Sequence, residues 1–276
     1  MIALVATVGV FGLLIGSFLN VVVYRVPLGR SIVRPPSACT DCGHEIKAYD
    51  NVPVLSWIVL RGKCRDCGSR ISARYPLVEL GTGLIFAIVT MLFGRPILES
   101  ATVPSIAAAS VVLVAYLYLA AISVALALID LDVRRLPNAI VLPSYLVALC
   151  LFSGASVLGG DYSGLIRAAI AMAALALAYL IMAFARPGGM GLGDVKLAGV
   201  IGIYLGWAGW GPLAVGALAA FVLGGVYAIG LIVAKRATRK SGVPFGPWML
   251  AGAWLGIGAG AAIFSGYLSI FGLAAV

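Results

Sequence analysis

Asp130 and Asp194 are the residues of this sequence best placed to do chemistry. Asp130 closes a long apolar run, Val103 to Ile129. Asp194 sits in Met190-Gly191-Leu192-Gly193-Asp194-Val195-Lys196, between glycines and a lysine at the edge of another apolar segment. A charged side chain within hydrocarbon costs roughly 2.5–3.5 kcal/mol on insertion scales, so two of them at segment ends imply a use. Paired carboxylates can divide acid–base work in hydrolysis. The ionised one takes a proton from water while its protonated partner hydrogen-bonds the carbonyl under attack. Asp194 opens a helix, where unpaired N–H groups favour a carboxylate, whereas Asp130 ends one and lacks that help. The two acids are therefore expected to differ in proton affinity. On residue types alone they could equally be caps, ion-pair partners of Arg134, Arg135 or Lys196, or the ion sites of a transporter. Asp132 is expected to be more exposed and paired with a nearby arginine.

A second constellation is Cys39-Thr40-Asp41-Cys42 and Cys64-Arg65-Asp66-Cys67, separated by twenty-one residues and each followed by glycine, Gly43 and Gly68. Four thiolates at this spacing suit a closed tetrahedral zinc site, with Cys39, Cys42, Cys64 and Cys67 as ligands. A closed shell leaves no open position, so the zinc would be structural. Disulfide or redox use of the pairs is the alternative. His44 is expected to be solvated or behind the ligands, and the fifth cysteine, Cys150, to be a small buried residue of an apolar helix.

The elements that must position these groups are read from composition. The 276-residue chain is 62% hydrophobic and only 11% charged, with mean hydropathy +1.10. Soluble domains lie nearer half apolar and a quarter charged, and about 20 apolar residues cross a bilayer. The expected fold class is therefore an all-α polytopic membrane protein, of about eight transmembrane helices with a small cytoplasmic zinc-binding subdomain. The expected division is a first transmembrane helix at 1–24, the zinc-binding subdomain at 25–76 and a transmembrane domain carrying both acids at 77–276. Within the last, spans are expected near 77–93, 104–130, 138–156, 163–185, 195–209, 211–234 and 248–271. No cleavable signal peptide is expected, since no basic region precedes the first apolar run.

The net charge of +9 is clustered in a few loops, which points to membrane orientation and lipid headgroups rather than nucleic acid. Arg25, Arg134, Arg135, Arg186 and the run Lys235-Arg236-Ala237-Thr238-Arg239-Lys240 then face the cytoplasm, and Arg95 and Arg167 the outside. Both acids fall on the cytoplasmic side. Gly202 with Gly206, and Gly252 with Gly256 and Gly260, are spaced to let helix backbones approach closely in lipid. A Ser-His-Asp triad lacks a suitable histidine, and neither a Walker A nor a Rossmann fingerprint is present.

Several further stretches carry a resemblance. Gly16-Ser17-Phe18-Leu19-Asn20 runs on to Tyr24-Arg25-Val26-Pro27. Tyr49-Asp50-Asn51-Val52-Pro53 lies between the cysteine pairs, and Arg74-Tyr75-Pro76-Leu77-Val78-Glu79 enters the second span. Asp130 stands seven residues before Pro137, Gly191-Leu192-Gly193-Asp194 follows, and Val243-Pro244-Phe245-Gly246-Pro247-Trp248 precedes the last span. With these the sequence resembles the type IV prepilin peptidases, bifunctional leader peptidase/N-methyltransferases of bacterial pilus and type II secretion systems. The resemblance implies Asp130 and Asp194 as the catalytic pair of an aspartyl endopeptidase in the bacterial inner membrane. Its partners would be prepilins or pseudopilins, cut after a glycine on the cytoplasmic side. It further implies methylation of the new α-amino group with S-adenosylmethionine. The polar loop is the expected place for methyl transfer, with Glu79 a candidate there and a helix-starting interfacial carboxylate its plainer role.

Overall fold

The computed structural model describes residues 1–185, 189–236, 238 and 242–273. Arg186, Ala237, Arg239 and Lys240 of the basic loops lie outside the described residues. Among those described, the chain is helical, with two isolated bridges, Ala38 to Glu45 and Lys63 to Arg70, as its only β-pairings. It forms two compact units, residues 1–125 and 126–276.

The first unit holds α1 (Ile2–Arg25), the cysteine loop with the short α2 (Leu55–Val59), α3 (Arg74–Phe93), α4 (Arg95–Glu99) and most of α5 (Val103–Val133). Small residues set the approach of α1 to α3. A Cβ at Gly12 would lie 2.9 Å from the Cα of Gly83, and one at Gly16 only 2.7 Å from the Cα of Glu79. Such spacing lets van der Waals packing join helices where lipid removes the hydrophobic drive. Thr82 and Thr90 are fully buried yet satisfied, since their hydroxyls donate to the carbonyls of Val78 and Phe86 at 2.7 and 2.8 Å.

The second unit contains the end of α5, then α6 (Asn138–Gly159), α7 (Ser163–Ala185), α8 (Leu192–Ala208), α9 (Trp210–Val233) and α10 (Gly246–Ile270). Apolar on every face, α8 is buried without a break from Leu197 to Gly206, as such a helix must be. Its glycines make room for the neighbours. Gly202 and Gly206 meet the backbone of α7, and Gly199 faces the Tyr145 hydroxyl of α6, which donates to the Lys196 carbonyl at 2.6 Å. On α10, Gly252, Gly256 and Gly260 lie against α9 at Pro212, Gly216 and Ala220.

Seven of these helices are long and apolar enough to cross a membrane: α1, α3, α5, α6, α7, α9 and α10. The eighth expected span is α8, whose 17 residues rise about 25 Å. One expectation fails. Cys150 is exposed on α6 rather than buried; a thiol behaves as a small hydrophobe and is as comfortable on a lipid-facing surface as in a core.

Candidate active site and metal centre

Asp130 lies in the last turn of α5 and is 5% exposed. Four residues on, Arg134 takes a left-handed conformation (φ +52°), its N–H bonded to the Asp130 carbonyl at 2.9 Å, and ends the helix. Pro137 is the N-cap of α6. Asp194 is the third residue of α8, and its Oδ2 accepts the N–H of the N-cap Gly191 at 3.1 Å. With no side chain at the N-cap, this reach-back is the half of a capping box that remains.

The expected reason for an asymmetry between the acids needs correction. Asp130 does not lack N–H help, because its Oδ2 accepts the N–H of Gly246 at 2.9 Å. Gly246 is the first residue of α10, so each carboxylate sits at a helix N-terminus, where partial positive charge favours it. A Cβ at 246 would stand 2.8 Å from Oδ2 of Asp130, so any larger residue must push the carboxylate aside. Pro247 follows within the first turn, where its missing N–H costs little.

Leu136, between α5 and α6, packs against both glycines of the site. A Cβ at Gly193 would lie 3.2 Å from its Cβ, and one at Gly246 3.2 Å from its Cδ2. Both carboxylates are thereby gathered at one packed site, and the charge of Asp130 acts on Asp194. Among the described residues neither closes an ion pair. Lys196 donates instead to Oδ1 of Asn138 at 3.0 Å, and Asp132 is exposed.

Sequence reading missed Tyr179. It is buried on α7, within Coulombic reach of Asp194, and its ring packs 5.4 Å from Phe221 and 6.4 Å from Phe245. A lone tyrosine in the Ala/Leu/Ile run of α7 was the available signal, since a buried phenol seeks a polar neighbour.

In the first unit, the sulfurs of Cys39, Cys42, Cys64 and Cys67 all lie within 4.8 Å of one another, and none is in a disulfide. The two halves are the same knuckle. Cys39 N–H bonds the His44 carbonyl at 2.9 Å and Gly43 N–H returns to Cys39 at 3.0 Å. Cys64 and Gly68 repeat this at 2.8 and 3.0 Å, with Ser69 in the place of His44. Gly43 and Gly68 adopt φ +74° and +73°, the left-handed turn that glycine allows freely. His44 thus serves through its backbone. Arg65 forks onto Asp50, its Nε at 2.7 Å, and holds that carboxyl below the usual range.

Four thiolates around zinc at about 2.3 Å would stand about 3.8 Å apart, and Cys39 and Cys67 are 3.9 Å apart. The Cys42 N–H and Ser69 hydroxyl draw the Cys39 thiol down to about 6. At Cys42 the His44 N–H also acts downwards, but burial and the thiols of Cys39, Cys67 and Cys64 outweigh it and push Cys42 up to about 12. Such a cluster ionises fully only around a cation. The four cysteines could hold a metal ion such as zinc.

Seven helices long and apolar enough to cross a membrane make this a multi-pass membrane protein. Comparison with known proteins places it further. Residues 10–93 match the bacterial peptidase A24 N-terminal domain, and residues 117–229 match the type IV leader peptidase family. The chain is 35% identical over 287 residues to a prepilin leader peptidase/N-methyltransferase of Pseudomonas putida, covering 95% of this chain and 93% of the relative. It is 33% identical to one from Aeromonas hydrophila, over 95% and 92%. One from Myxococcus xanthus (strain DK1622) is 41% identical over 202 residues, 72% of this chain and 55% of the relative. No solved structure gives a significant match. The chain belongs to the type IV leader peptidase family.

Proposed function

We propose that this protein cleaves the leader from type IV prepilins and pseudopilins after a glycine, and methylates the amino group so released. The carrying observation is the convergence of Asp130 and Asp194 on one packed site, where Leu136 lies against both Gly193 and Gly246 and each carboxylate is steadied by a backbone N–H at a helix start. Where two carboxylates repel, the pair favours a state in which one holds a proton and the other is ionised. The ionised aspartate takes a proton from the attacking water, and the protonated one hydrogen-bonds the scissile carbonyl. The tetrahedral intermediate then collapses as a proton passes to the departing amine. A substrate whose hydrophobic helix already lies in the bilayer needs no soluble docking domain. An ion-coupled transporter, the other use of paired intramembrane acids, has no observation in its favour.

Basic residues beside Asp130, Arg134 and Arg135, support an inner-membrane orientation with the acids on the cytoplasmic side. Cys39, Cys42, Cys64 and Cys67 would hold a structural zinc. For methylation, S-adenosylmethionine supplies a sulfonium methyl, and the polar loop of residues 25–76 is the part of the chain suited to receive it.

Purified protein incubated in detergent with a prepilin and S-adenosylmethionine should release the leader and leave a product heavier by one methyl group. An intact prepilin after prolonged incubation with folded protein would overturn the reading. A second expectation concerns Gly246. Gly246→Ala puts a Cβ against the Asp130 carboxylate, and displacement of a catalytic group by about an ångström can cost about 100-fold in rate. Cleavage kinetics should show that loss in kcat with little change in KM. An alanine variant cleaving at the wild-type rate would remove the positioning role of this contact.

A further inference from the structure

The first unit contains a cavity of about 390 Å³, within the range of small-molecule sites. Ser17 and Asn20 of α1, Trp57 of α2 and Glu79 of α3 are part of its wall. Glu79 is buried, 8% exposed. Its Oε2 accepts the N–H of Val54 at 2.7 Å. Among the described residues this is its one hydrogen-bond partner, and no lysine or arginine pairs with it. A buried carboxylate without a cation is costly, so its surroundings ask for one.

The chain also strains to present it. Val54 has φ +62° and ψ −50°, and the Leu55 N–H bonds the Pro53 carbonyl at 2.6 Å. This is the γ-turn with positive φ, rare for any residue and least suited to a β-branched one. Strain of this kind gathers at functional sites. Capping α2 alone does not account for it. That helix has five residues, and a serine or asparagine at 54 would cap it without burying a distant acid.

We propose that Glu79 is a catalytic residue of the methyl transfer, binding the α-amine of the cleaved substrate through the carboxylate oxygen that Val54 leaves free. The inference rests on the bifunctional reading above. An α-ammonium, with its ordinary pKa of about 7.7–8.0, can supply the ion-pair partner that the cations of the cavity wall, Arg25, Lys47, Arg65 and Arg70, do not give Glu79. To become a nucleophile the ammonium must shed one proton, which passes to the Glu79 carboxylate and on to solvent. The nitrogen lone pair then attacks the sulfonium methyl. The N–C bond forms as the C–S bond breaks, its electron pair stays on sulfur, and the donor departs as a neutral thioether.

Glu79→Gln tests this, because glutamine keeps an oxygen for the Val54 N–H and so preserves a cap, but loses charge and basicity. With the full-length protein, a prepilin and S-adenosylmethionine near pH 7, methyl transfer should fall about 100-fold or more. Leader cleavage and the KM for the methyl donor should stay within about threefold. Raising the pH to about 9, where solvent deprotonates the amine, should restore much of the variant's methylation and change the wild type little. Methyl transfer by Glu79→Gln at the wild-type rate would overturn the proposal. So would parallel loss of cleavage and methylation, which marks a structural cap. A wild-type protein that removes leaders without ever adding a methyl would instead overturn the bifunctional reading.

Discussion

Asp194→Asn and Asp130→Asn are each expected to reduce leader cleavage by about 1,000-fold, within the range general acid–base groups contribute, while leaving a folded protein in the membrane. The reason lies in what asparagine retains. Its amide oxygen can still accept from the Gly191 N–H, or from that of Gly246, so both helix starts keep their partner. What it loses is the exchangeable proton. An ionised carboxylate away from water is expensive, and the charge of Asp130 adds repulsion at Asp194. Each variant should therefore melt at or above the wild-type temperature even as it stops cutting, the trade between activity and stability expected of a strained site. Product mass and thermal unfolding on the same preparation check both halves. Cleavage at the wild-type rate by either variant would remove that aspartate from the mechanism.

The other large effect concerns the cysteine loop. Metal analysis of reduced, active protein should find about one zinc per chain, held by the four cysteines. Replacing Cys42 and Cys64 together by serine should abolish it. Structural zinc contributes an apparent 10–16 kcal/mol to the folding of small zinc-finger peptides. Beyond their turn hydrogen bonds and the Arg65–Asp50 pair, the knuckles rest on two isolated bridges and four half-exposed sulfurs. Without metal, residues 37–73 should become sensitive to limited proteolysis, and methyl transfer should fail with them because Cys39 and Cys64 belong to the cavity wall. Active, reduced protein that contains no zinc would reject the assignment.

What the sequence revealed followed from features written locally. Cys-x-x-Cys-Gly fixes its own turn, and the knuckles fold as their spacing says. An acid at the end of an apolar run stands out whatever surrounds it, so Asp130 and Asp194 could be picked out with their helix positions. Partners that come from far along the chain were not legible. Gly246 reaches Asp130 from 116 residues away, and only the packed helices reveal that an acid at one helix's end occupies another's beginning. The same holds for Glu79, whose partner Val54 takes a backbone conformation that its residue type disfavours. The packing roles of Gly12 and Gly16 escaped notice because small residues in an apolar run declare nothing until the facing helix is known. The length of α8 was read within one residue at its end but opened three residues early, at Leu192, since glycine weakens the apolar signal there.

Arg167 gives α8 a property of its own. Its Nε donates to the Gly206 carbonyl at 2.7 Å and its Nη2 to that of Trp207 at 3.0 Å, a cation at the negative pole of the helix that Asp194 opens at the positive one. Sliding by one residue would shift Asp194 about 1.5 Å and tear away the guanidinium at the far end. The helix is pegged like an axle between two stops. The acid it carries keeps a fixed height, against which a substrate helix standing in the same bilayer can be measured.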